Sequence, residues 1–261
     1  MKNIQILAFP SFRLAALLLG LGMLAGCVSP RPTQPTPAAE PNTAAEPVLR
    51  AKNEPWLKRH EGFVEIAKSQ VHCDLLFLGD SITDYWRSKG KELWDREYAP
   101  HGAVNFGISG DRTQHLLWRL QNGEIGGLKP KVIVMMIGTN NIGFESDKKR
   151  VRNTAPQIAG GIKANIDYLR AQLPKAKILL LAVFPRGEPD SPARADVLEI
   201  NRRIANFDDG RHVFFLNIGP VFLAPDGTIP KDIMPEQLHP TPKGYQLWAD
   251  AMRPTLERLL K

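Results

Sequence analysis

Five near-continuous apolar runs divide residues 75–216, and they constrain the fold more than any other feature. They occupy residues 75–78, 103–106, 132–137, 178–184 and 213–216. None alternates polar with apolar residues, so neither face of a strand built from them can meet water. That is the pattern of parallel strands covered on both sides. Amphipathic segments separate the runs. Ile158, Ile162, Ile166, Leu169 and Leu173 keep one helical face. Val197, Ile200, Ile204 and Phe207 keep another, behind a Ser191-Pro192 start that suits an N-cap and first turn. Trp56, Phe63, Ile66 and Ala67 mark a helix after Pro55. Thr241-Pro242 opens a last one, with Tyr245, Trp248, Met252, Leu256 and Leu259 inward as core rather than as a sugar platform. Strands each followed by a helix give an α/β fold with a parallel sheet between helical layers. Ligands of such sheets bind beyond the carboxyl ends of the strands, so chemistry is sought just after each run.

The chain opens differently. Lys2 and Arg13 precede an apolar stretch, residues 14–24, followed by Ala25-Gly26-Cys27. This is a positive start, an apolar run too short for a membrane span, and a small-residue cleavage site. Leu24-Ala25-Gly26-Cys27 resembles the lipobox of bacterial lipoproteins. The resemblance implies cleavage before Cys27, lipid on that cysteine, export, and a membrane-held protein of the cell envelope. Val28, rather than Asp, implies the outer membrane. Without the resemblance, the segment reads as an ordinary secretory signal with a chance cysteine. Residues 29–47 are rich in Pro, Ala and Thr and read as an extended, semi-rigid spacer. The expected organisation is a signal over 1–26, a lipidated Cys27 with its tether to 47, and one domain over 48–261. That domain, of about 210 residues, is long enough for a sizeable core.

The formal net charge is +7. Lys2, Arg13 and Arg31 against Glu40 and Glu46 leave +1 before residue 48, and therefore +6 on the domain. No dense Lys/Arg block with interleaved aromatics accompanies it, so the reading is a solvated basic surface and nucleic acid is not an expected partner. Two cysteines exclude a disulfide framework, and Cys73, beside an apolar run, reads as a small core residue. The six histidines lack metal-ligand spacing, and no phosphate-cradling loop is present. No metal or other cofactor is expected.

Gly79-Asp80-Ser81 follows the first run, Gly107-Ile108-Ser109-Gly110-Asp111 the second, and Gly138-Thr139-Asn140-Asn141 the third. Glu236-Gln237-Leu238-His239-Pro240 precedes the last helix. Each alone is an ordinary turn or cap. Together they hold the parts of nucleophilic catalysis. A serine hydroxyl needs a base, and His239 suits that task near neutral pH. A carboxylate must then orient the imidazole. Glu236, three residues earlier, can do so; a carbonyl or Asp232 are the alternatives. An oxyanion needs donors: the N–H of Gly110, where no Cβ intervenes, the side-chain amide of Asn140, and the N–H of Ser81 itself. Trp118 and Arg119, after the second block, read as a buried Trp and a surface Arg.

These blocks resemble those of the SGNH (GDSL-like) hydrolases, and residues 54–255 are most similar to the branch of platelet-activating factor acetylhydrolase Ib catalytic subunits. Residues 105–124, and Lys129-Pro-Lys-Val-Ile-Val134 running into Gly138-Thr-Asn-Asn141, carry that similarity. The resemblance implies a flavodoxin-like three-layer α/β/α sandwich with a five-stranded parallel sheet, and a serine esterase without a cofactor. It makes Ser81 the nucleophile, Gly110 and Asn140 oxyanion donors, and His239 the base. It also implies an acyl pocket narrowed by Ile82, Thr139 and Leu238, hence short acyl groups such as acetyl, and a homodimer as in that branch. The family usually places Asp where this chain has Glu236. An exported enzyme of this kind meets acetylated carbohydrate. The rival readings are a lipase or lysophospholipase on longer chains, and an inactive glycan-binding lipoprotein.

Overall fold

A computed structural model describes residues 41–69, 71–145, 149 and 151–261. The signal, Cys27 and most of the spacer lie outside the described residues. The strands are β1 (Leu75–Gly79), β2 (Val104–Gly107), β3 (Val132–Met136), β4 (Lys177–Leu181) and β5 (Val213–Leu216). They pair side by side, all parallel, in the order β2-β1-β3-β4-β5. The helices are α1 (Glu54–Lys68), α2 (Ser81–Asp84), α3 (Lys91–Leu93), α4 (Thr113–Arg119), α5 (Ala155–Gln172), α6 (Pro192–Ile204) and α7 (Pro242–Leu260).

Strand alternation sorts the apolar runs onto two faces. Leu76, Leu78, Ile133, Met135, Ile178 and Leu180 pack under α1, α4, α5 and α6. Leu75, Phe77, Val134 and Leu179 face α7 and an aromatic group around Trp86, Tyr98 and Trp248. Each such side chain, fully buried, stabilises by roughly 1.5–3 kcal/mol. This is the three-layer sandwich expected, and Cys73 is buried in it. Burial pushes the Cys73 thiol up to about 11, so it behaves as a small apolar residue.

Helix starts follow their caps. Ser191 Oγ accepts from Arg194 N–H at 3.3 Å, and Thr241 Oγ1 from Gly244 N–H at 3.2 Å. Two details depart from the sequence pattern. The fourth run leaves the ladder after Leu181, and Ala182–Phe184 stay buried but irregular before Pro185. In α1 the inward stripe is Trp56, His60, Phe63 and Ala67, while Ile66 is 39% exposed.

The spacer also ends earlier than its composition implies. Asn42 caps a single turn (Thr43–Ala45), and its side chain donates to the Gln157 carbonyl at 3.0 Å. Ala44 is buried, and its carbonyl accepts from Thr113 Oγ1 at 2.7 Å. Asn153 donates to Thr43 Oγ1 at 2.9 Å. Gly161 makes room for this strap: a Cβ there would collide with the Ala44 carbonyl.

Candidate active site

β1 ends at Gly79, where nothing larger fits; a Cβ there would collide with Thr83 Oγ1 and the Met136 carbonyl. Asp80 then caps α2, its Oδ1 accepting from Ile82 N–H at 3.0 Å, and Ser81 opens the helix. Asp80 is fully buried, and its Oδ2 has no hydrogen-bond partner. Burial pushes its carboxyl up to about 7, with the nearby Asp111 carboxylate adding to the effect.

Ser81 Oγ lies 2.8 Å from His239 Nε2, and His239 Nδ1 lies 2.6 Å from Glu236 Oε1. A carboxylate only accepts, so Nδ1 carries the imidazole proton and Nε2 presents its lone pair to the serine. Burial works against the charge on Glu236. Hydrogen bonds from its own backbone N–H and from His239 nevertheless hold its carboxyl below the usual range. Asp232 is engaged elsewhere, with Lys243 at 2.6 Å. Between Glu236 and His239 the chain turns through Gln237, at φ 55°, a left-handed conformation that a non-glycine side chain adopts at a cost. The Gln237 carbonyl accepts from Gly187 N–H at 3.3 Å and its side-chain amide donates to the Glu188 carboxylate, so the strained residue is pinned from the β4–α6 loop. Tyr85 covers the imidazole, ring centroids 5.1 Å apart.

The second and third blocks flank β1 because β2 and β3 are its two neighbours in the sheet. Gly110 sits at φ 80°, the left-handed region glycine enters freely. Asn140 Nδ2 donates to the Asp111 carbonyl at 2.9 Å, which leaves the second N–H of that amide. Its neighbour Asn141 is structural: its Oδ1 accepts from Thr113 N–H, and its amide donates to Gln114 and Asn153, each at 2.9 Å. Of the three residues expected to narrow an acyl pocket, Ile82 and Thr139 are buried and Leu238 is half-buried. The Ile82 carbonyl accepts from Tyr245 Oη at 2.6 Å, so the core aromatic of α7 holds the turn behind Ser81. Chemically, this constellation can deprotonate a serine during attack on a carbonyl and return the proton to a leaving alkoxide.

Residues 77–247 match the GDSL-like lipase/acylhydrolase family. The chain belongs to that family. It is 36% identical over 226 residues to the alpha2 subunit of platelet-activating factor acetylhydrolase IB from Rattus norvegicus, covering 86% of this chain and 92% of the relative. The human alpha1 subunit is 35% identical over 206 residues, covering 78% and 84%. Among solved structures, a GDSL-like lipase from Bacteroides thetaiotaomicron superposes with a TM-score of 0.61 at 19% identity, over 76% of this chain and 97% of its own. An acetylxylan esterase from Geobacillus stearothermophilus does so with a TM-score of 0.56 at 20% identity, over 71% and 93%. This GDSL-family chain is an ester-hydrolysing enzyme with the SGNH fold.

Sequence reasoning missed a buried ladder that braces the second block of this acylhydrolase. Arg119 is not at the surface but fully buried, and Trp118 is only half-buried. Arg119 Nε donates to Asp111 Oδ2 at 2.8 Å, its Nη1 to Glu124, and its Nη2 to the Phe106 carbonyl at 3.1 Å. Trp56 Nε1 reaches Asp111 Oδ1 at 2.6 Å, and His60 Nδ1 meets Glu124 Oε1 at 2.9 Å. Burial works against the Arg119 charge, and the two carboxylates more than offset it. The available signal was two acids, eight residues before and five residues after one arginine. A cavity of about 790 Å³ lies at the other end of the sheet, against residues 120–131 and the end of α5, and neither Ser81 nor His239 lines it.

Proposed function

We propose that this esterase removes short acyl groups, acetyl foremost, through an acyl-enzyme on Ser81. The observation that carries the reading is the unbroken chain Ser81 Oγ–His239 Nε2, 2.8 Å, and His239 Nδ1–Glu236 Oε1, 2.6 Å. Ser81 attacks the ester carbonyl as His239 takes its proton, and Glu236 stabilises the imidazolium. The oxyanion forms against the N–H groups of Ser81 and Gly110 and the free N–H of Asn140. His239 returns the proton to the leaving alkoxide, and water repeats the sequence on the acyl-enzyme. The short-acyl preference is supported by the buried Ile82 and Thr139 beside Ser81 and Asn140, and by relatives named acetylhydrolases. Acetylated carbohydrate is the proposed natural substrate class, met by an exported enzyme tethered through lipid on Cys27 to the outer membrane.

Hydrolysis of 4-nitrophenyl acetate, butyrate and octanoate by the purified protein, with Ser81→Ala as control, tests this. Turnover should be fastest on acetate, fall with chain length and vanish in the variant. Faster octanoate turnover would replace the short-acyl reading by a lipase. Wild type no better than Ser81→Ala on every ester would remove the mechanism.

A further inference from the structure

Gly110 lends only its N–H to the proposed oxyanion site, and a peptide N–H is aimed through its own plane. That plane also holds the Ser109 carbonyl, directed opposite to the Gly110 N–H. Whatever holds Ser109 therefore aims the donor. Packing does not steady Gly110 itself. It sits at φ 80°, and the nearest atoms a Cβ there would meet belong to the Arg50 guanidinium, 3.4 Å away. On the far side of Gly110, Asp111 is fixed by Arg119 and Trp56. The near side rests on Ser109, which is exposed.

Ser109 is held at both its carbonyl and its hydroxyl. Arg50 Nη1 donates to the carbonyl at 3.1 Å. The hydroxyl donates to Asp84 Oδ2 at 2.9 Å. Asp84 is the last residue of α2, the helix that Ser81 opens. The bond thus runs from the helix of the proposed nucleophile to the residue before the proposed donor. α2 has 4 residues, too few to be stable alone, and it is locked to the end of β2. Asn105 Nδ2 donates to the Thr83 carbonyl at 2.8 Å, and Asn105 Oδ1 accepts from Gly107 N–H at 2.9 Å. Gly107 lets the two backbones touch: a Cβ there would collide with the Asp84 nitrogen and the Asp80 carbonyl. The Asp84 carboxylate is itself fixed. Its Oδ1 accepts from Arg59 of α1 and from Arg87, and Arg87 also donates to the Asn105 and Gly107 carbonyls. With Oδ1 taken by both arginines, Oδ2 is the oxygen left for Ser109. Of these links, only Ser109–Asp84 reaches past the strand end into the donor loop.

We infer that Ser109 and Asp84 are positioning residues for the reaction: their hydrogen bond sets the Gly110 N–H against Ser81 Oγ. They act through Gly110 and not on the ester. A hydroxyl bound to a carboxylate is held more firmly than one bound to a neutral acceptor. The N–H must lie about 3 Å from the forming oxyanion, and a loop free to swing spends part of its time out of reach. This inference rests on the esterase reading above and adds the pair that aims one of its donors.

Steady-state kinetics of the purified protein on 4-nitrophenyl acetate test it. Ser109→Ala should lower kcat about tenfold, a fraction of the roughly 10²–10³ that a lost oxyanion donor costs, with KM within about twofold of wild type. Ser109→Thr keeps the hydroxyl and should recover most of the loss. Asp84→Ala should lose at least as much. Ser109→Ala added to Asp84→Ala should cost little more, because both remove one bond. Ser109 is exposed, so its variants should unfold in urea together with wild type, which separates aim from folding. Should Asp84→Ala not fold, the alanine and threonine variants of Ser109 decide alone. A Ser109→Ala kcat within about twofold of wild type would overturn the inference. So would a raised KM at unchanged kcat, which would make Ser109 a substrate contact, or losses at the two sites that simply add. Wild type no faster than Ser81→Ala would overturn the esterase reading instead.

Discussion

At the scale of single residues, Glu236 shows how one methylene is accommodated. The longer side chain, three residues before the base and across the left-handed turn at Gln237, lies 2.6 Å from Nδ1. Glu236→Gln keeps the shape but offers an amide that no longer fixes the tautomer or balances the imidazolium. We expect kcat to fall about 10²- to 10⁴-fold with KM little changed, by analogy with triads elsewhere. Steady-state kinetics on 4-nitrophenyl acetate decides it, and a loss under threefold would take Glu236 out of the triad. Asp80 makes a different prediction. Its carboxyl has an ordinary value of 3.8 and a folded value of about 7, so the folded protein holds the extra proton across that window. A raised acid stabilises fully below pH 3.8 and loses that contribution as pH climbs to 7. Asp80→Asn should therefore gain on wild type as pH rises from 4.5 to 7.5, by at most about 1.4 kcal/mol per unit. Urea unfolding at both pH values measures the gap; a gap that stays constant would mean Asp80 titrates as it does unfolded.

At the scale of elements, the strands were legible because burial on both faces leaves no other reading of five apolar runs, and the catalytic blocks because their positions follow from strand ends. The first helix was legible only in part: His60 is inside because Glu124, sixty-four residues away, meets its Nδ1, a pairing no local pattern contains. Arg119 was misread for the same reason. An arginine on a helix is placed outside unless its partners are known, and its partners come from the loop before α4 and the wide turn after it. The two carboxylates then tie β2, α1 and α4 to the loop whose Asp111 carbonyl holds Asn140. Arg119→Met should cost about 3–5 kcal/mol, since it leaves Asp111 and Glu124 buried without their cation. Kinetics well below its melting temperature should also show a lower kcat, because Asn140 loses its brace. A variant within 1 kcal/mol of wild type in urea unfolding, a small change on that scale, would mean that water replaces the guanidinium without loss.

At the scale of the whole molecule, two separate supports converge on one cleft. α7 reaches it from below, through Tyr245 to the Ile82 carbonyl, so the core on one face of the sheet backs the proposed nucleophile. The strap reaches it from the other face. Thr43 and Ala44 bind Asn153 and Thr113, the same two residues that Asn141 binds, and Asn141 is the covalent neighbour of Asn140, the proposed oxyanion donor. A composition of Pro, Ala and Thr gave no hint of this, because the strap docks through small side chains and carbonyls into a glycine groove rather than through apolar bulk. Two forms of the protein separate the possibilities: one starting at Pro41, the other at Val48. The shorter form loses a buried alanine and three hydrogen bonds, each worth about 1 kcal/mol before water replaces some of them. A net loss of about 2 kcal/mol would lower the melting temperature by about 4–8 °C. The kinetic consequence is the sharper test. Loosening Thr113 and Asn153 releases Asn141, so the shorter form should lose kcat on 4-nitrophenyl acetate several-fold even at temperatures where it is fully folded. Equal melting temperatures and equal kcat in the two forms would make residues 42–45 a passive end of the spacer. A lower melting temperature with unchanged kcat would confine the strap to stability and leave Asn140 positioned by the Asp111 carbonyl and Arg152.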